Sequence, residues 1–174
     1  ECGIRFVIVE TLPSAKIDGA CFWLRGAAPV IGVTLRFDRI DNFWFVLRHE
    51  IEHVLRRHGV GAVALDAELE GERAGVGDTV AEEERLANRA ATDFCVPQAE
   101  IDSWIARKHP FYSERDLVGF ARRLGVHPGL VAGQLRNRIH NYKIFSKTLE
   151  KILAINVRAE VEAGVFRPSS KMRS

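Results

Sequence analysis

The sequence of 174 residues is poor in cysteine and has no long apolar run. Its three cysteines, Cys2, Cys21 and Cys95, lie far apart, so neither a disulfide framework nor a site of paired thiolates is indicated. We expect them to be reduced and buried. No apolar stretch approaches the roughly eighteen residues that a membrane span requires, and we therefore expect no membrane association.

An excess of charge of one sign is also missing. Lys and Arg total 25 against 23 Asp and Glu, so a net charge of +2 gives no reason to expect direct binding of nucleic acid. Hydrophobic residues make up 47% and charged residues 28%, which is typical of a globular domain. No secretory leader pattern follows Glu1, and we expect a cytoplasmic protein. Because the chain starts without Met and enters a strand pattern at once, we expect it to be a domain of a longer protein.

The first forty residues contain three stretches rich in β-branched residues. They run from Arg5 to Glu10, from Ala20 to Leu24 and from Val30 to Arg36, and each is typical of a strand. The segments KIDG (16–19) and GAAP (26–29) have the composition of turns. We expect a small antiparallel sheet of about three strands.

Helical periodicity dominates the rest of the chain. Asp41 or Asn42 can cap a helix that runs through Arg57, and a second helix should begin near 79–82 and end at about Cys95, before Pro97. Further helices are predicted to start at Ser113 with Asp116, after His127 and Pro128, and over 144–157. The fold class is therefore α+β, with about five or six helices packed on the sheet.

These elements suggest one domain over residues 1–166. The sheet occupies 1–40, two helices and their connection occupy 41–97, and a helical part occupies 98–166. The Gly-rich acidic stretch over 60–80 has weak periodicity and is predicted to be an exposed connection. The polar, basic tail over 167–174 is predicted to fray.

The motif HEIEH (49–53) carries the chemistry. His49 and His53 are four residues apart, so a helix places both imidazoles on one face, within reach of one zinc ion. Glu50 lies about 100° around the helix from His49, where it can act as the general base on a water molecule activated by zinc. This arrangement is typical of peptide-bond hydrolysis. The alternative is an exposed helix whose His and Glu side chains only balance charge.

A catalytic zinc site needs a third protein ligand and one open position. The second helix offers Glu84, followed on the same face by Asn88, which can orient it by a hydrogen bond. Glu83 is the reserve candidate, and a solvated acidic cap is the alternative. Other histidines are weaker choices because their spacings form no helical pair with the first two: His58, His109, His127 and His140. For stabilisation of an oxyanion the sequence does not select among Tyr112, His109, His127 and Arg138.

Several segments resemble the ImmA/IrrE-like zinc metallopeptidases, and more closely the C-terminal peptidase-like domain of HigA-type antitoxin and transcriptional regulators. They are RHEIEHVL (48–55), ERLANRAATDFCVP (84–97), FARRLGVHPGLVAGQL (120–135), and the pair KIDGACFWL with RFDRIDNFWF. The resemblance covers most of the chain. Ala90 and Leu86 depart from it, since relatives often carry Phe and Glu there.

The resemblance implies a zincin-like fold with an HExxH helix and a zinc ion held by His49, His53 and Glu84. It also implies proteolysis of a protein partner, such as a transcriptional repressor or a toxin–antitoxin component, in gene control or stress response. A homodimer is left open. The alternative function is a non-catalytic sensor or interaction domain of a HigA-type regulator with a zinc site. Relatives of that type carry a DNA-binding helix-turn-helix domain, which this segment lacks.

Overall fold

The computed structural model describes residues 3–10, 14–58, 60, 64–67 and 82–153. Within these ranges the fold is α+β, as predicted. The strands are β1 (Arg5–Val9), β2 (Ile17–Leu24), β3 (Ala28–Thr34) and β4 (Ala64–Ala67). The helices are α1 (Ile40–Leu55), α2 (Glu82–Cys95), α3 (Gln98–Lys108), α4 (Glu114–Leu124) and α5 (Pro128–Arg138), followed by a short 3₁₀ helix (Ser146–Thr148).

The sheet is mixed, with strand order β1-β3-β2-β4. All three predicted strands are present, but the expectation of a wholly antiparallel sheet is wrong. β2 is antiparallel to β3 and β4, whereas β1 pairs in parallel with β3. The physical reason is that KIDG is not a hairpin turn, because β2 already begins at Ile17. The chain instead crosses over, and β1 lies at the edge beside β3.

The turn between β2 and β3 is a tight hairpin, as the GAAP segment predicts. Arg25 and Gly26 adopt left-handed backbone angles with φ of 51° and 68°, and the Ala27 amide donates to the Leu24 carbonyl at 3.2 Å. Gly at this position adopts the positive φ without a steric cost. β4 falls inside the stretch over 60–80, most of which was predicted to be an exposed connection. The four residues of β4 form a strand that was not predicted, while 61–63 and 68–80 lie outside the described residues.

Helix α1 packs on one face of the sheet. Its Val46 joins Ile31 and Val33 of β3 in an apolar cluster, and partly buried apolar side chains of the same helix pack against that cluster. The predicted caps are wrong. Arg39 is the N-cap residue and makes no side-chain cap bond, because Asp41 forms an ion pair with Arg39 and the Asn42 amide donates to the Arg36 carbonyl at 3.2 Å.

A second core lies among the C-terminal helices. α2 and α5 lie where helices were predicted. At the start of α5, the His127 ring caps the helix by accepting a hydrogen bond from the Gly129 amide at 3.0 Å. α3 was not predicted from the sequence, yet it supplies two buried side chains. The core cluster consists of Val96, Ile101, Trp104, Leu117, Phe120, Ala121, Val131, Ala132 and Leu135.

The predicted start of α4 is confirmed. Ser113 is the N-cap, and its hydroxyl oxygen accepts from the Asp116 amide at 3.1 Å. The hydroxyl also donates to the Asp116 carboxylate at 2.8 Å. Hydrogen bonds from Lys108 first, and from Ser113 second, hold the pKa of Asp116 below its ordinary value.

The predicted helix over 144–157 is wrong for 144–151. Phe145 has a left-handed φ of 52°, and this interrupts a helix before the 3₁₀ turn. Tertiary bonds fix the end of this segment: the Ile40 amide donates to the Glu150 carbonyl at 2.9 Å, and the Leu153 amide, in a helical turn that begins at residue 152, donates to Asp38 at 3.0 Å. Residues 154–157 and the tail over 167–174 lie outside the described residues.

Cys21 and Cys95 are buried, as expected, and Cys2 lies outside the described residues. None of the helices in the described ranges is both long and apolar enough to cross a bilayer. The division of the chain into a domain over 1–166 and a tail stays a prediction.

Replacing Ser113 by Ala removes the oxygen that accepts from the Asp116 amide. We expect the free energy of unfolding to fall by about 1 kcal/mol, the usual contribution of such a cap, as measured by urea denaturation. The control is Ser103→Ala, at an exposed position inside α3, which should change stability by less than about 0.5 kcal/mol. Equal stabilities of the two variants would contradict a capping role for Ser113.

Candidate metal centre

His49 and His53 face each other on adjacent turns of α1. Their Nε2 atoms are 3.0 Å apart, and their ring centroids are 4.8 Å apart. Both residues are 0% exposed. The helical spacing of four residues therefore brings two imidazole nitrogens to one point inside the protein, as the sequence predicts.

Helix α2 brings Glu84 to the same point. Its Oε2 lies 3.2 Å from the Nε2 atom of His49, and its Oε1 lies 3.5 Å from the Nε2 atom of His53. The Glu84 side chain is 29% exposed, so it forms the outer edge of the cluster. Of the three successive glutamates at the start of α2, Glu84 is the one that joins the histidines.

The three side chains have the spacing that a metal ion requires. Metal–ligand bonds of about 2.0–2.2 Å in a tetrahedral arrangement place neighbouring donor atoms about 3.3 Å apart. The distances of 3.0, 3.2 and 3.5 Å lie around this value. His49, His53 and Glu84 are therefore a candidate metal-binding triad, and two imidazoles with one carboxylate suit zinc and related divalent ions.

Glu50 is buried against the sheet. It follows His49 on α1 and is 0% exposed. The neighbouring position on β2 is Gly19, where an added Cβ would lie 2.0 Å from the Glu50 Oε1 atom and 2.9 Å from Val46 Cγ1. Only glycine leaves room for the Glu50 carboxylate in its present position.

The second glutamate of the motif is separate from the site. Glu52 accepts hydrogen bonds from Arg48 at 2.8 Å and from Arg56 at 2.7 Å. Burial raises the pKa of its carboxyl, but these hydrogen bonds and the positive charges of the two arginines outweigh burial and lower the pKa. Glu52 is therefore an ion-pair partner on the helix rather than part of the metal centre.

The structure adds His58, a residue that sequence reasoning did not assign to the site, and it gives Glu83 a different partner from the predicted one. His58 places its Nδ1 atom 2.9 Å from the Nδ1 atom of His53, and its Nε2 atom lies 3.7 Å from Glu83 Oε1. Helical spacing gives no signal for His58, because α1 ends at Leu55. Glu83, the reserve ligand, thus points to His58 rather than to the triad.

Asn88 lies one turn after Glu84 on α2. Its Oδ1 atom is buried and accepts no hydrogen bond from any residue in the described ranges. The predicted orienting role of Asn88 stays a prediction.

The other polar candidates have contacts in the helical part of the protein. His109 contacts the Tyr112 hydroxyl at 3.3 Å, His127 contacts Glu150 at 3.1 Å, and Arg138 donates to Asp102 at 2.5 Å. These contacts join helices and turns, and none of them involves a residue of the triad.

The chain matches no model of a known protein family, and no curated protein matches it at a significant level. The resemblance to the ImmA/IrrE-like metallopeptidases therefore stays a prediction from the motifs. The case for a metal centre depends on the distances among His49, His53 and Glu84.

Removing the carboxylate of Glu84 should abolish tight metal binding. We expect Glu84→Ala to weaken the affinity for Zn²⁺ by more than about 100-fold, which is more than the loss of a residue that only hydrogen-bonds to a ligand would cause. The affinity is measured by titration against a competing chelator. The matched control is Glu82→Ala, two residues earlier, where an exposed side chain pairs with Arg85. This control should bind zinc as the unaltered protein does. Equal affinities of the two variants would remove Glu84 from the site.

Proposed function

We propose that this chain is a zinc-dependent metallopeptidase that hydrolyses peptide bonds in a protein partner. One observation carries the proposal: two buried imidazoles and one carboxylate converge at metal-ligand spacing, and the residue that follows His49 on α1 is the buried Glu50. Among the residues that the structure describes, the metal-binding cluster has three members. A closed structural zinc site has four protein ligands, whereas a catalytic one has three and leaves a position open.

The three ligands and Glu50 have separate roles in the proposed reaction. Zinc held by His49, His53 and Glu84 would act as a Lewis acid that polarises an amide carbonyl and makes water acidic enough to attack it at neutral pH. Glu50 would accept the proton that the attacking water loses. It would then deliver this proton to the amide nitrogen as the carbon–nitrogen bond breaks, so that a carboxylic acid and an amine leave the site.

The resemblance to ImmA/IrrE-like peptidases supplies the proposed setting. It supports a zincin-like fold with α1 as the HExxH helix, a cytoplasmic location, and a partner that regulates transcription or stress response. A repressor or a toxin–antitoxin component is the kind of substrate that this setting favours.

The role of Glu50 is tested by Glu50→Gln. We expect zinc content to stay the same and the cleavage rate to fall by at least about 100-fold, because the general base is lost. The measurement uses the zinc-loaded protein and a library of quenched fluorescent peptides, with and without chelator. The matched control is Glu52→Gln, the other glutamate of the motif, which should keep both zinc and cleavage. Undiminished cleavage by Glu50→Gln would remove Glu50 from the proposed role.

The position of the Glu50 carboxylate is tested from the sheet. Gly19→Ala places a methyl group where the carboxylate lies, so we expect zinc affinity to persist while cleavage falls at least about 10-fold, since misplacing a catalytic group by about 1 Å is costly. The control is Gly32→Ala on β3, where an added Cβ has only an ordinary contact, 3.7 Å from Val9. Full activity of Gly19→Ala would show that the close approach of β2 is unnecessary for catalysis.

A second function, a non-catalytic zinc-containing interaction domain of a HigA-type regulator, is favoured by one observation. Glu50 is 0% exposed, whereas a general base has to come within hydrogen-bond reach of its proton donor. The two functions differ in the peptide assay. Cleavage that chelation abolishes supports the enzyme, and stable binding of a partner without cleavage supports the interaction domain.

A further inference from the structure

The turn after α1 brings His58 back against the metal-binding triad. α1 ends at Leu55, and Arg57 takes a left-handed φ of 59°, which reverses the chain. The His58 amide then donates to the His53 carbonyl at 2.9 Å. This backbone bond places the two histidines side by side, with ring centroids 5.2 Å apart.

Strand β2 holds the turn in this position. The indole N–H of Trp23 donates to the His58 carbonyl at 2.8 Å. The guanidinium carbon of Arg57 lies 4.8 Å from the centroid of the Trp23 ring, a distance typical of a cation–π contact. His58 is thus held at its amide by the His53 carbonyl and at its carbonyl by the Trp23 side chain, and its own side chain is only 14% exposed.

The contacts of the two rings select one arrangement of protons. A neutral imidazole carries its proton on one nitrogen and accepts on the other. His58 Nε2 lies 3.7 Å from Glu83 Oε1, and because a carboxylate can only accept, this contact favours a proton on Nε2 of His58. Its Nδ1 atom is then an acceptor, and the 2.9 Å contact requires His53 to donate from Nδ1–H. The Nε2 atom of His53, which faces the triad, is left with a lone pair for a metal.

We infer that His58 is a positioning residue that holds His53 in the tautomer and orientation needed for metal binding. The inference rests on the proposed zinc site and adds an outer layer to it, since metal-ligating histidines commonly donate their second ring N–H to a fixed acceptor. Here the acceptor is another imidazole, and the Glu83 carboxylate of α2 lies 3.7 Å from the other nitrogen of that imidazole. The neighbouring glutamates of α2 thus have separate roles: Glu84 contacts the triad directly, and Glu83 acts through His58.

The test compares His58→Phe, which keeps a ring without an acceptor, with His58→Asn, whose side-chain oxygen can still accept. The matched control is His140→Asn, at an exposed position in the turn after α5. Zinc affinity is measured against a competing chelator. The tautomer of His53 is read from ¹⁵N shifts of the ring nitrogens in the metal-free protein, and thermal unfolding of the metal-free variants reports any loss of folding.

We expect His58→Phe to weaken zinc binding by about 10- to 100-fold, with His58→Asn restoring most of the affinity and His140→Asn leaving it unchanged. In the metal-free protein His53 should carry its proton on Nδ1, and His58→Phe should reduce the population of that tautomer. Wild-type zinc affinity in His58→Phe, or a proton on Nε2 of His53 in the unaltered metal-free protein, would overturn the inference.

The outcomes separate this inference from the proposed function. Zinc binding that depends on His58, without peptide cleavage, would support the positioning role and contradict the peptidase. Zinc-dependent cleavage that does not change when His58 is replaced would support the peptidase and contradict the positioning role. If His58→Phe does not fold, His58→Ala, which also removes the acceptor, decides the matter with the same ¹⁵N measurement, since the inference requires the Nδ1–H tautomer of His53 to lose population there as well.

Discussion

Histidine and glutamate side chains are costly to bury, because each gives up strong hydration that the protein interior has to replace. Helix α1 nevertheless buries His49, Glu50 and His53 completely within little more than one turn. Neighbouring elements offset this cost: α2 directs the Glu84 carboxylate toward both Nε2 atoms, and the turn after α1 sets His58 against the other side of His53. A divalent ion at the convergence point would complete the compensation.

The burial of Glu50 also depends on the position of the sheet. β2 comes so close to α1 at Gly19 that a single added carbon would meet the Glu50 carboxylate. The apolar contacts of Val46 with Ile31 and Val33 hold the helix on the sheet in this register. The close contact between β2 and α1 therefore determines how deeply Glu50 is buried. Catalysis, if it follows the proposed route, depends on a water molecule reaching that depth.

Much of the fold is readable from local patterns. Residue composition and periodicity, which act over a few residues, predict three of the strands and four of the helices. The strands are those near Arg5, Ala20 and Val30, and the helices are α1, α2, α4 and α5. Local patterns predict neither the parallel pairing of β1 nor the irregular backbone after Ile144, because both depend on residues that are distant in the sequence. The segment around Phe145 has an apolar pattern that suits a helix, yet Phe145 takes a left-handed φ of 52°, and the chain after it bonds to Ile40 and Asp38.

The sequence by itself determined that His49 and His53 could share one ion and that Glu50 would lie beside them, because the spacing of a helix is a local property. Only the tertiary structure decided between Glu84 and Glu83, since that choice depends on how α2 packs against α1. The same is true of His58, which lies beyond the end of α1 and reaches His53 only because the chain reverses at Arg57 and Trp23 holds the turn. Side chains brought together by packing leave no periodic signal in the sequence.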